Sequence, residues 1–546
     1  MNQTYDVIVI GGGHNGLTLA LYMAAAKLKV LVLERRHEFG GGLSTEEVTI
    51  PGYYHNLHSN FHGIMPFFPP YNDFNLARRG VRYILPEADI GMPLKDGRAL
   101  ILYSDDRRAA DSIAAFSERD AEEFLEVRRR LAFHSAEVLG GAFSPPAVSP
   151  RQRLFLEEEY GRIFGDDVLD HTAAEWVERH FENPHVRALL LYHMAICGFD
   201  VRLPRLAALG IGYLAYLTNW QLCVGGSHHL AHAMGGELLA QGGELLESRG
   251  VKQILVESNR AVGVVTVDGT EFRARDAVVS SVDPHQTFLD FLPREALDPT
   301  FRKKVEAIRY GHGDVLFGAH VALKEPPHHI ASAGHPDIDR TWNLNIGYET
   351  PEDLYEHYEE IDRGELPKRP RLNAGVNTLF DPSQAPHGRH TALIWQFAPF
   401  EIGERGGAAW DSLGDDYARA CVDAWREYAP NMGGDNVLAV HPYTPYDIAR
   451  KMVNMRRGGF HVAAISHDQA AENRPIPELS GFRAPVTGLY LCGASQHVHG
   501  GILSSPGYNC AQVLAEDLGV FDKLPFKSKP WWPAVERWRE KMAKIE

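Results

Sequence analysis

An α/β protein of two lobes is predicted from three observations. A β-strand runs through a glycine turn into a helix at the N-terminus, an acidic residue closes the following strand, and the chain is 546 residues long. Strand, turn and helix in that order open a nucleotide-binding sheet. So long a chain exceeds what one hydrophobic core usually supports, so a second lobe is expected.

Tyr5 to Ile10 is a β-branched run. Gly11, Gly13 and Gly16 then complete GxGxxG before an Ala/Leu-rich helix reaching about Lys27. Gly11 permits the tight turn, Gly13 lets a pyrophosphate approach the backbone, and Gly16 lets the helix pack closely on the strand. The helix start then faces the phosphates. A second strand, 29–33, ends in Glu34, placed to accept hydrogen bonds from ribose hydroxyls and to disfavour a 2′-phosphate. Together these elements predict a Rossmann-like dinucleotide-binding domain. Gly40, Gly41 and Gly42 follow closely and lead into the polar, extended LSTEEVTIPGYY. A plain nicotinamide domain seldom has this second glycine cluster, so FAD is the expected cofactor.

Further along, 251–257 and 261–267 read as two strands joined by a turn at 258–260, and another strand follows at 277–281. Near the C-terminus, 488–492 reads as a strand, 493–505 as a loop of small residues and 508–518 as a helix. Such a helix start stabilises negative charge on a reduced flavin.

The strings GGGHNGL, VLVLERR, FGGGLSTEE and PGYY carry a family resemblance, as do the blocks from GGSHHLAHAMGG onward and GLYLCGASQHVHGGILSSPGYNCAQVLAEDL. In order and spacing the chain resembles the phytoene desaturase-like branch of the flavin amine oxidase superfamily, which includes carotenoid desaturases, carotenoid isomerases and retinol saturases. The resemblance implies an FAD-binding domain from 1–75, 225–310 and 481–520, interleaved with an α+β substrate domain from 76–224 and 311–480. It also implies FAD contacts at Gly11, Gly13, His14, Asn15, Gly16, Glu34, Arg35, Gly41, Gly42, Leu43 and Ser44. Val251 would meet the adenine, and Gly493, Ala494, Ile502 and Leu503 the ribityl chain and ring. Where many relatives read THPGGG this chain reads QHVHGG, which puts a polyene substrate in question. His497 and His499 are therefore the candidate catalytic groups, since an imidazole beside the flavin could orient a polar group or move a proton.

The stretch 105–220 has helical periodicity and is assigned to the substrate lobe. From about 312 to 461, strand-like runs such as VLFGAHVAL and TALIWQFAP alternate with proline-rich connections. Gly210, Gly212 and Ala215 follow no strand, so they read as a packed helix and not as a nicotinamide site. Reducing equivalents are thus expected to leave through oxygen, a quinone or another acceptor. A tail, 521–546, combines Trp531, Trp532 and Trp538 with several lysines. Packing on the core, a homo-oligomer contact and a peripheral membrane contact all suit it.

Fifty-five basic against 71 acidic side chains give a net charge of −16, which argues against nucleic acid as a partner. Five scattered cysteines, with no CxxC pair and no leader pattern ahead of the first strand, suit a reducing, cytoplasmic setting. His228 and His232 have zinc-compatible spacing, and His55, His58 and His62 form a second histidine cluster; neither has a completing ligand set, so no metal is expected. The expected reaction is dehydrogenation of a mainly apolar or amphipathic small molecule by hydride transfer to flavin N5. Amine oxidation, flavin-dependent isomerisation or saturation of a polyene, and a flavin-bound interaction protein are the alternatives.

Overall fold

The computed structural model describes residues 3–146, 150–165 and 168–544. Its organising element is a seven-stranded sheet. β1 (Gln3–Ile10) lies beside β2 (Val30–Leu33), with α1 (His14–Ala25) between them in sequence. β1 pairs in parallel with β2 on one side and with the strand Glu271–Ser280 on the other. The strand Glu244–Leu246 extends the sheet beyond β2, and Leu489–Leu491 pairs in parallel with the end of Glu271–Ser280. The sheet is thus assembled from three distant stretches of chain. Its glycine turns all lie at the same ends of the parallel strands, where open α/β sheets bind ligands.

α1 carries no charged residue, and His14 to Ala24 are all buried. A helix that is apolar on every side belongs inside a core. The antiparallel strands Val251–Glu257 and Arg260–Thr266 form the hairpin, and its two turn residues, Ser258 and Asn259, both have positive φ (47° and 60°). Two successive left-handed residues make the turn whose twist matches that of the strands.

The second sheet also has seven strands and is almost wholly antiparallel. Its spatial order is 437–443, 316–323, 390–397, 372–376, 343–346, 88–93 and 99–103. Helices between Asp106 and Leu214 pack beside it around a core that includes Phe124, Trp176, Tyr192 and Phe199. Gly210 and Gly212 lie in one of them, Ala207–Leu214.

The tail folds back on the nucleotide-binding lobe. Trp531, Trp532 and Trp538 are 2%, 7% and 7% exposed, so their indole faces are engaged within the protomer. Trp531 stacks on Phe143 at 5.1 Å, and Lys529 forms a buried ion pair with Asp73. Among the described residues no helix is long and apolar enough to cross a membrane.

Candidate functional site

Three glycine-rich segments converge where β1 meets α1. Gly12 N–H donates to Glu34 Oε2 at 2.9 Å and Arg36 N–H to Glu34 Oε1 at 2.8 Å, so this carboxylate ties the first glycine turn to the end of β2. Gly40 N–H donates to the Gly12 carbonyl at 2.8 Å, docking the second glycine cluster on the first. From the C-terminal side, a Cβ on Gly493 would lie 2.5 Å from the Ser281 carbonyl oxygen, and one on Gly507 would lie 2.2 Å from that of Asn15. α1 and the helix Ser505–Asp517 therefore meet backbone to backbone. His14 Nε2 closes the seam by donating to the Gly501 carbonyl at 3.0 Å.

The seam opens into a cavity of about 230 Å³. Two helix N-termini approach it, and neither has an acidic residue in its first turn. Free N–H groups and the positive ends of helix dipoles suit a pyrophosphate and an electron-rich ring. The residues present fit FAD.

Gly13, His14, Asn15, Gly41, Gly42, Ala494, Ile502, Leu503 and His499 all line this one cavity. Gly11, Gly16 and Gly493 lie behind it, buttressed by Ser281, whose Oγ donates to the Gly11 carbonyl at 3.0 Å. Leu43 and Ser44 are buried beside the second glycine cluster, Glu34 and Val251 are buried beyond the cavity, and Arg35 is exposed. His497 is turned away from the cavity. Its Nε2 donates to the Gly141 carbonyl at 2.9 Å, and it faces a neighbouring apolar cavity of about 460 Å³. Gly63, Tyr213, Trp220, His499 and Leu503 border both cavities and separate them.

His499 has one defined tautomer. Its Nδ1 donates to the Gly500 carbonyl, and burial pushes its pKa down to about 3, so neutral Nε2 accepts from the Tyr213 hydroxyl at 2.7 Å. His461 lies edge-on to it, ring centres 4.8 Å apart, and donates through Nε2 to the Cys197 carbonyl. Burial likewise holds His14 down at about 4 and His58 at about 3. Among the described residues no Asp, Glu, Lys or Arg side chain lines the cavity. Its wall is polar in places but uncharged.

Tyr213, Trp220, His461, His58 and Tyr443 are cavity residues that sequence reasoning did not find. His55, His58 and His62 are separated. His62 turns to Ser59 and Tyr83, whereas the ring of His55 lies 5.2 Å from that of His320. His228 and His232 pack ring against ring, and among the described residues no group of three His, Cys, Asp or Glu is placed to hold a metal.

Asp314, fully buried behind His461, accepts from the His461 N–H at 2.9 Å. Burial raises its pKa from the usual carboxylate value to about 7. The neutral acid is favoured in the fold, so its stabilising contribution is complete below the unfolded-state pKa and is lost as pH rises towards 7. Asp314→Asn is expected to remove a pH dependence on the order of a few kcal/mol from the unfolding free energy between about pH 4 and 7. Denaturant melts at a series of pH values check this.

The "Flavin containing amine oxidoreductase" family matches residues 16–515. Over 94% of this chain and 95% of its own length, a subunit of limonene dehydrogenase from Castellaniella defragrans is 32% identical. The chloroplastic prolycopene isomerase of Daucus carota is 22% identical over 96% of this chain and 82% of its own length. In fold, the chain is similar to cyclohexylamine oxidase from Brevibacterium oxydans, with a TM-score of 0.57, 16% identity, and coverage of 94% of this chain and 99% of the other.

Proposed function

Because the chain belongs to the flavin-containing amine oxidoreductase family, in its phytoene desaturase-like branch, and is an FAD-dependent oxidoreductase, we propose that it dehydrogenates a hydrocarbon of terpene type. The observation that carries this reading is the uncharged cavity wall, built from Phe61, Trp220, Trp395, Ile448, Leu503 and neutral histidines. An ammonium-bearing substrate would leave water with no carboxylate on the wall to receive it, an uncompensated desolvation. A hydrocarbon loses nothing on entering and is held against the ring by exclusion of water.

FAD, when bound, supplies the hydride acceptor. The protein's own contribution is to orient the substrate and receive its proton. His499 and Tyr213 form the polar pair nearest the C-terminal loop of the seam. A substrate that spans both cavities would pass between Tyr213, Trp220 and Leu503.

The test is an anaerobic titration of FAD-loaded protein with monocyclic terpenes, linear alkenes, alcohols and primary amines, following the flavin absorbance. Bleaching by a terpene or alkene is the expected result, and bleaching by amines alone overturns the proposal. His499→Ala is expected to lower turnover about 100-fold while FAD is retained, because the Tyr213–His499 pair that orients the substrate is lost, and unchanged turnover would remove His499 from the mechanism.

A further inference from the structure

Desaturation removes two hydrogens, and only one of them leaves as hydride. One C–H bond of the substrate passes its electron pair and hydrogen to oxidised FAD; the neighbouring C–H bond gives its electrons to the new double bond and releases a proton. That proton is generated in a cavity without a carboxylate. It needs a receiving base and a way out.

His499 is poorly suited to the export. Both its ring nitrogens are engaged within the protein, Nδ1 on the Gly500 carbonyl and Nε2 on the Tyr213 hydroxyl. The opposite wall differs. His58 lines the cavity, and its Nε2 is hydrogen-bonded to the Tyr443 hydroxyl at 2.9 Å.

Tyr443 ends the strand Val437–Tyr443, which pairs antiparallel with Leu316–Leu323, Tyr443 opposite Gly318 and His441 opposite His320. Alternate residues of a strand share a face, as do residues directly opposite each other. Leu316, Gly318 and Tyr443 form cavity wall on that face, and His320 and His441 are the next pair along the same face. The ring of His320 lies 6.2 Å from that of Tyr443 and 5.2 Å from that of His55. His441 is only half-buried.

His320 is fully buried in the middle of a strand, yet among the described residues neither of its ring nitrogens has a hydrogen-bonding partner. A buried polar group left unpaired costs stability unless bridging water satisfies it. A packing role would be served better by leucine. A row of imidazoles joined by water is a proton conductor, because each ring accepts at one nitrogen as it releases from the other.

We propose that His58, Tyr443, His320 and His441 form a proton outlet from the flavin cavity to solvent, with His58 receiving the substrate proton. This rests on the dehydrogenase reading above. The receiving group need only be a weak base, since a C–H bond beside a carbon that is losing hydride is strongly acidified. Lys451 and Arg36 oppose protonation of His58, and Lys451 that of His320 and His441, so the row relays a proton without holding it. Lys451 lies 5.8 Å from the Tyr443 ring and Arg36 is close by, but both are paired with Glu46, at 2.5 and 3.8 Å. At the far end burial and Lys451 oppose a proton on His441, and Asp447 and Asp415 offset part of that opposition.

Exchange of the imidazole C2 hydrogen for deuterium, read by mass spectrometry on the FAD-loaded protein, tests the row without turnover. His193 is the control, being equally buried, with both nitrogens unpartnered, but packed among helices. His320 is expected to exchange at least about tenfold faster than His193, and His441→Gln to slow His320 about tenfold. Exchange of His320 as slow as that of His193, or indifferent to His441→Gln, overturns the outlet. With any compound that bleaches the flavin, His320→Leu should leave the bleaching rate within about threefold while proton release to an indicator dye lags about tenfold. Proton release that keeps pace with bleaching in His320→Leu also overturns it. A protein that no hydrocarbon bleaches refutes the dehydrogenase reading, while the exchange result still decides whether the row conducts.

Discussion

Arg474→Met is expected to destabilise the protein by about 3–5 kcal/mol, the scale of removing one partner from a buried charged network. The Arg474 side chain is fully buried, and among the described residues its guanidinium makes no hydrogen bond to a carboxylate. Its donors are instead used on six backbone carbonyls. Nε reaches Gln496; Nη1 reaches Ala464 and Gln469; Nη2 reaches His461, Ala463 and Ala494, all between 2.9 and 3.3 Å. Burial pulls its pKa down to about 10, partly offset by Asp314. Methionine fills the volume but strands the Gln496, Gln469, Ala463 and Ala494 carbonyls in a dry interior, while those of His461 and Ala464 keep the Ala463 N–H and the Gln469 Nε2 as donors. Two of those carbonyls belong to His461 and Ala494, which line the cavity on separate segments, so FAD should also be held less firmly. Lysine is not a conservative replacement, because a single ammonium cannot reach carbonyls fanned around a planar fork. Arg474→Lys should recover less than half of the loss. Urea melts of the three proteins measure both values, and a methionine variant within about 1 kcal/mol of wild type would show that the cage is not what holds these loops.

The ease with which each part could be read from sequence follows the range of the interaction that makes it. Gly11, Gly13, Gly16 and Glu34 do their work on neighbouring backbone, so spacing alone identified the turn, the helix and the dinucleotide fold. The Ser258–Asn259 turn was legible for the same reason. The C-terminal helix starts at Ser505, three residues before its expected beginning, because Ser504-Ser505-Pro506 reads as a loop although proline is well placed in a helix's first turn. Tyr213 reaches the cavity from an element more than 200 residues before those of Tyr443 and His461, and only sheet pairing and loop docking bring them together. Arg474 lies in a proline-rich stretch that reads as surface connection. Nothing local signals that six carbonyls from two loops will turn inward around it.

The histidines show where residue type misleads. His497 and His499 are two residues apart in a loop beside the seam, which made them look equivalent. They serve different cavities, one tied to Gly141 and the other to Tyr213. The histidine row on the second sheet, by contrast, joins residues about 120 positions apart and became visible only through the pairing of His320 with His441.

Gly16→Ala and Gly13→Ala should separate folding from cofactor binding at the first turn. A Cβ on Gly16 would lie 2.3 Å from the Gly11 carbonyl oxygen and 3.0 Å from Ser281 Oγ. The first of these is backbone and cannot swing aside, so α1 must shift from β1 at its start. Overpacking of this kind is expected to cost about 3 kcal/mol, with FAD affinity falling at least about tenfold as the turn distorts. Gly13 is the contrast. Its φ of −69° suits any residue, and a Cβ there meets nothing closer than Gly41 Cα at 3.9 Å. Gly13→Ala should therefore melt with wild type when cofactor-free, yet bind FAD about tenfold more weakly, because its methyl occupies the gap through which the pyrophosphate reaches the helix N-terminus. Thermal melts of cofactor-free protein and FAD titrations of both variants check the pair. If Gly13→Ala binds FAD normally, the pyrophosphate does not lie against this turn, and the cofactor's path along the seam must be redrawn.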